Sequence, residues 1–150
     1  NLSDMFYIGG TKCGALLGEA LVITNESLKK DFRYIIKEHG ALLAKGRLLG
    51  IQFDVLFEDN LYFTICKQAV DYSIAIRKAF EAKGIQMWGD SSTNQQFAIL
   101  TDEQMETLGK KYAYQDWERY DDTHTVVRFC TSWGTKEENV QALIEDIAKL

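Results

Sequence analysis

Apolar and polar positions follow two rhythms along this chain, and the switch between them marks its elements. Met5-Phe6-Tyr7-Ile8 reads as a short buried strand that stops at Gly9-Gly10. Glu19 to Ile23 reads as a second strand, reached through a turn spaced by Gly14 and Gly18. The period then lengthens. Leu28, Phe32 and Ile35/Ile36 share one face of an expected helix over Asn25 to Lys37, ended by Gly40. A second helix is expected from about Leu42 to Phe57, with Leu42, Leu49, Phe53 and Leu56 as its stripe. Gly46 and Gly50 fall inside it, each at a cost of roughly 1 kcal/mol relative to Ala, which implies close packing there. A third helix is expected from about Asn60 to Ala82. Leu61, Ile65, Ala69, Tyr72, Ile76 and Phe80 recur in it at spacings of three and four, and Gly84 closes it.

Beyond Gly84 the character changes. Ile85 to Trp88, Gln96 to Leu100, Tyr112 to Glu118 and Thr125 to Cys130 read as strands. A helix after Thr101 carries a capping box, Thr101 with Gln104. The last helix carries another, Thr135 with Glu138, followed by Val140, Leu143, Ile144 and Ile147 facing inward. The pattern predicts an α/β chain, α+β in its C-terminal part, in two regions. Residues 1–59 offer two strands and two helices, and two strands alone do not make a stable sheet. That region therefore reads as the end of a larger sheet. Residues 60–150 read as a small α+β domain, a mostly antiparallel sheet covered by helices.

Composition narrows the classes. The chain has 150 residues, 46% hydrophobic and 26% charged, close to globular averages and unlike disordered or collagen-like sequences. A formal charge of −5 argues against broad nucleic-acid binding. No apolar run approaches the roughly 20 residues of a membrane span. The start, Asn1-Leu2-Ser3-Asp4, lacks Met, a basic segment and an apolar core, so it does not read as a signal peptide, and sequence upstream of it is expected. Three widely spaced cysteines, Cys13, Cys66 and Cys130, argue against a disulfide framework or zinc site and fit a reducing cytosol. Proline is absent, for which there is no physical account.

The densest chemical signal is Gly9-Gly10-Thr11-Lys12-Cys13-Gly14, directly after a strand. Glycines admit close backbone approach and positive φ. A lysine held there can be partly desolvated, which frees its amine as a nucleophile, and Thr11 can offer a hydroxyl to phosphate. The order does not match a Walker A loop. Lys12 is therefore either a Schiff-base lysine or a solvated lysine in a tight hairpin. Arg128 lies mid-strand between apolar neighbours, on the face of Val126 and Cys130, and must find an anion or reach solvent. A structural ion pair is the alternative. From Glu26 to Arg47 six basic residues (29, 30, 33, 37, 45, 47) outnumber three acids. Lys37, Lys45 or Arg47 could serve a phosphate, or simply form a solvated face. His39 and His124 are too isolated for a metal site. His39 is placed at a helix C-terminus and His124 in a surface turn. Cys13 beside Lys12 is either reactive or a small filler. Of Trp88, Trp117 and Trp133, the last is the best candidate to lie near a pocket.

Several of these segments together resemble one family. Gly10-Thr11-Lys12-Cys13-Gly14-Ala15 followed by Gly18-Glu19-Ala20-Leu21-Val22-Ile23 resembles the cofactor-lysine segment of the threonine aldolase and β-eliminating lyase family. His39 to Gly50 resembles that family's glycine-interrupted helix after the lysine. Thr93-Asn94-Gln95-Gln96-Phe97 resembles the strand opening its small domain, and Val126 to Trp133 its carboxylate-binding arginine strand. The resemblance runs in order over essentially the whole chain. It implies a fold-type-I enzyme using pyridoxal 5′-phosphate (PLP), with the end of the large domain over 1–59 and the small domain over 60–150. It further implies Lys12 as the catalytic, cofactor-bearing lysine, Thr11, Lys45 and Arg47 at the cofactor, and Arg128 on the substrate α-carboxylate. The expected reaction is aldol cleavage of β-hydroxy amino acids such as threonine to glycine and an aldehyde. β-Elimination, transamination and an inactive fragment are the alternatives. The resemblance places the ring-stacking residue, the pyridine-binding Asp and most of the phosphate loop upstream of residue 1, so the 150 residues alone are expected to be inactive. Cys13, where Asn is more familiar in the family, bears on the substrate more than on the cofactor. The expected partners are an amino-acid substrate and further copies of the chain, as a homodimer or homotetramer with the site at the interface. Neither nucleic acid, membrane nor metal is expected.

Overall fold

The computed structural model describes residues 2–150, which divide into two compact units after Thr64. In the first unit, β1 (Met5–Gly9) and β2 (Glu19–Ile23) pair antiparallel, Met5 opposite Ile23 and Gly9 opposite Glu19. β2 has the bounds read from the sequence and β1 runs one residue further, to Gly9, but β1 is not buried. Met5 is 51% and Tyr7 70% exposed, because a two-stranded ladder has too little cover to bury both faces of a strand. The expected first helix is interrupted. Glu26–Lys29 forms a 3-10 turn capped by Asn25, whose Oδ1 accepts from the Ser27 N–H. Asp31 then takes a left-handed φ of 56°, and α1 spans only Phe32–Glu38. Asp is one of the few residues that accept this conformation at modest cost. His39 caps α1, as expected.

The second helix, α2 (Arg47–Phe57), starts five residues later than its apolar stripe suggested. Leu42 lies outside it and is exposed. Gly46 is the residue before the helix, tight only against the Leu43 carbonyl, and a Cβ on Gly50 would meet nothing within 4 Å. The glycine pair thus marks no close approach of another described element. The buried side of the unit is small, consisting of Ala15, Phe53 and Leu56. Tyr62, at the start of α3 (Leu61–Ala82), donates its hydroxyl to the Gly9 carbonyl at 3.1 Å.

The second unit, Ile65–Leu150, holds the larger core. Its sheet has the order β3-β5-β4, all antiparallel, with β3 Gln95–Thr101, β4 Gln115–Arg119 and β5 His124–Cys130. Ala98, Leu100, Val127 and Phe129 on one face pack with Ile76 and Phe80 of α3, Leu108 of α4 (Asp102–Gly109), and Val140, Leu143 and Ile147 of α5 (Glu137–Ile147). The Thr101–Gln104 capping box forms as expected. The second does not. Lys136 is the N-cap of α5, and Thr135 Oγ1 instead accepts from the Ser132 N–H at 2.9 Å. Ile85 to Trp88 contributes one bridge, Met87 to Ala98, rather than a strand. β4 begins three residues later than expected because Tyr112 and Tyr114 are drawn to the core. Their hydroxyls donate to Asp146 at 2.8 Å and to the Met105 carbonyl at 2.7 Å.

Candidate active site

The chain after β1 turns sharply through a 3-10 turn, Thr11–Cys13, whose ends are fixed by glycine. The Gly10 carbonyl accepts from the N–H groups of Cys13 and Ala15, both at 2.9 Å. Gly10 has no room for a side chain. An added Cβ would lie 2.8 Å from Ala15 Cβ and 3.0 Å from the Gly18 carbonyl oxygen. Gly14 and Gly18 take φ of 102° and 94°, open to glycine and costly for other residues. α2 holds the far side of this loop. Gln52 Oε1 accepts from the Leu16 N–H at 2.6 Å, its Nε2 donates to the Leu48 carbonyl at 3.0 Å, and Leu49 backs Gly18. Gln52 was not legible as a loop-holding residue, since a lone glutamine in a helical pattern looks like solvated surface.

Lys12 projects from this turn, exposed and, among the described residues, without an ion-pair partner. Among the described residues Lys12 is exposed rather than desolvated. Thr11 is exposed beside it. Lys45 and Arg47, in the turn before α2 and at its first residue, are likewise exposed and unpaired, and no contact joins them to the Lys12 turn among the described residues. Within the basic stretch Lys29 pairs with Glu26 at 2.6 Å.

Arg128 sits near the end of the central strand β5, on the sheet face opposite the helices. The register places Phe97 across from it on β3 and Gln115 on β4. Its Nη1 donates to Gln95 Oε1 at 2.9 Å and its Nη2 to Gln115 Oε1. Its guanidinium carbon lies 5.0 Å from the centre of the Trp117 ring, a cation–π contact. Trp117 meets Phe97 edge-on, and Phe97 meets Trp88 in turn. Arg128 Nε is buried with no acceptor, and no carboxylate of the described residues pairs with the group. The structural ion pair weighed from the sequence does not form among the described residues. Trp117 is the tryptophan at this arginine. A bulge between Asp116 and Glu118 resets the pairing around it, which no sequence period could reveal.

His124 opens β5 and is half-buried. Its Nδ1 meets Asp121 Oδ1 at 2.9 Å. The Thr123 and His124 N–H groups both donate to the same carboxylate at 2.8 Å, and these bonds hold the Asp121 carboxyl down at about 2. With Ile99, Thr101, Gln104 and Tyr120 it lines a cleft of about 310 Å³.

No family model matches the chain. Among curated proteins it is 29% identical to the low specificity L-threonine aldolase of Pseudomonas sp. (strain NCIMB 10558) over 96% of its own length, and 27% identical to that of Pseudomonas aeruginosa. It spans 41% of each of these relatives. The backbone matches that of Leishmania major threonine aldolase with a TM-score of 0.93 and 40% identity, over 99% of this chain and 43% of the other. It also follows a serine palmitoyltransferase from Sphingomonas wittichii at a TM-score of 0.64 and 10% identity, a likeness of fold alone. In sequence and in fold, over nearly all of its length, the chain matches part of a threonine aldolase and has the α/β architecture of the fold-type-I enzymes.

Proposed function

We propose that the protein is a PLP-dependent aldehyde-lyase that cleaves β-hydroxy amino acids such as threonine to glycine and an aldehyde. The observation that carries this reading is the Lys12 turn, in a chain whose backbone follows a threonine aldolase over 99% of its length. The residues fit the cofactor. A glycine-bounded turn with no room for a side chain at Gly10 presents an unpaired primary amine, the group an aldehyde cofactor needs. Lys12 would hold the cofactor, Thr11 would donate its hydroxyl to phosphate, and Lys45 and Arg47 would supply positive charge to it.

When bound, PLP accepts the electron pair of a bond broken at the substrate Cα. The chain's own part is binding and proton movement. Arg128, charged and unmatched by any carboxylate, receives the substrate α-carboxylate and so fixes which Cα bond is presented for cleavage. The Lys12 amine, once free of the cofactor, carries a proton at Nζ. Copies of the chain would associate as a dimer or tetramer. The exposed Met5, Tyr7, Leu16, Leu21, Tyr34 and Leu48 supply apolar surface for that. A cytosolic location follows from the three cysteines only as part of the same proposal.

Borohydride reduction of the PLP-loaded full protein, followed by peptide mapping, is expected to place the pyridoxyl group on Lys12. Lys12→Ala is expected to abolish aldehyde release from threonine while the circular dichroism stays native. Label on another lysine, or retained turnover, would end the assignment. Arg128→Ala is expected to weaken amino-acid binding by roughly 2–5 kcal/mol.

A further inference from the structure

Among the described residues, the groups that hold Arg128 are neutral. Its two terminal nitrogens are each bound by a glutamine amide oxygen, Gln95 from β3 on one side of β5 and Gln115 from β4 on the other. Trp117 lies against the guanidinium. An arginine has five N–H donors. This arrangement takes one on each terminal nitrogen and leaves one on each, the pair that meets a carboxylate in a two-point contact. An amide oxygen aligns these donors without cancelling the charge. A carboxylate in its place would form an ion pair and compete with any incoming anion. β4 makes the choice visible. Its sequence is Gln-Asp-Trp-Glu-Arg, yet the acids at 116 and 118 stand opposite Val127 and Val126, and only Gln115 stands opposite Arg128.

We propose that Gln95 and Gln115 are positioning residues that hold Arg128 in register while keeping its full charge for the α-carboxylate of a free amino acid. This rests on the carboxylate role of Arg128 proposed above. The two amides supply the alignment that a structural arginine would take from an acid. The indole of Trp117 lies over one side of the group.

Gln115→Glu and Gln95→Glu replace an amide with a carboxylate at nearly constant volume. In the full protein each is expected to raise the KM for threonine about tenfold while kcat stays within about threefold. The glycine dissociation constant, read by equilibrium dialysis, should rise by the same factor, one decade being about 1.4 kcal/mol. The unfolding midpoint should hold or rise, since an ion pair is gained. Gln115→Met, which removes the acceptor without adding charge, should raise KM less than Gln115→Glu. Unchanged glycine binding in both Glu variants, with binding weakened in Arg128→Ala, would overturn the clamp and leave the carboxylate role standing. A loss in Gln115→Met as large as in Gln115→Glu would overturn the electrostatic account. Unchanged glycine binding in Arg128→Ala would remove the carboxylate role and the clamp together.

Discussion

Phe80 is the largest wholly buried side chain of the second unit. It is wholly buried on α3, its ring centre 5.4 Å from that of Phe129 on β5, within the cluster that joins the sheet to α3, α4 and α5. Truncating a buried Phe to Ala costs about 3–5 kcal/mol through lost transfer energy and the cavity left behind. A unit of roughly 90 residues has about 4–13 kcal/mol in all, taking about 0.05–0.15 kcal/mol per residue. Phe80→Ala therefore removes between about a quarter and all of its stability. Phe80→Leu, which refills part of the space, should cost distinctly less. All three tryptophans (88, 117, 133) lie in this unit, so their fluorescence reports its unfolding. Urea titration by fluorescence should show a midpoint lowered by about 1–5 M for Phe80→Ala, given a slope of about 1–3 kcal/mol per molar. A loss below about 1 kcal/mol at unchanged slope would refute the idea that this ring pins the helices to the sheet.

Gly10→Ala should disturb the Lys12 turn, because the new methyl would stand 2.8 Å from Ala15 Cβ and 3.0 Å from a carbonyl oxygen. We expect a cost of about 1–3 kcal/mol, seen in thermal melts, together with reduced PLP labelling of Lys12; full labelling at native stability would count against a rigid turn. The Asp121 carboxyl is held at about 2, below its ordinary value of 3.8, first by the Thr123 N–H and then by His124. A depressed carboxyl pKa stabilises the fold above the unfolded value and loses that contribution as pH falls from about 4 towards 2. Asp121→Asn should therefore flatten the acid limb of the stability curve in that window, and an unaltered limb would contradict the carboxylate's role in the β4–β5 turn.

Much of this molecule is local and was legible as such. The bounds of β2 and the end of α3, the capping box at Thr101 and the glycine-bounded lysine turn depend on residues within a few positions of one another. The structure departs from the expected elements where a tertiary contact, a competing side-chain hydrogen bond or a left-handed backbone overrode the apolar period. Tyr112 and Tyr114 left an apparent strand to fill the core, and Thr135 gave its oxygen to the Ser132 N–H instead of starting a helix. Asp31 broke a helix whose apolar spacing was otherwise sound.

The amino-acid order alone determined most of the helices and strands and singled out Lys12 and Arg128, because periodicity, capping and glycine placement act over a few residues. Only the tertiary structure decided what surrounds them. That Arg128 meets two glutamine amides and an indole, and no acid, follows from antiparallel register across three strands and from a bulge at Trp117. Register is set by burial of the opposite face against the helices, a constraint that joins residues 33 positions apart and leaves no trace in local sequence.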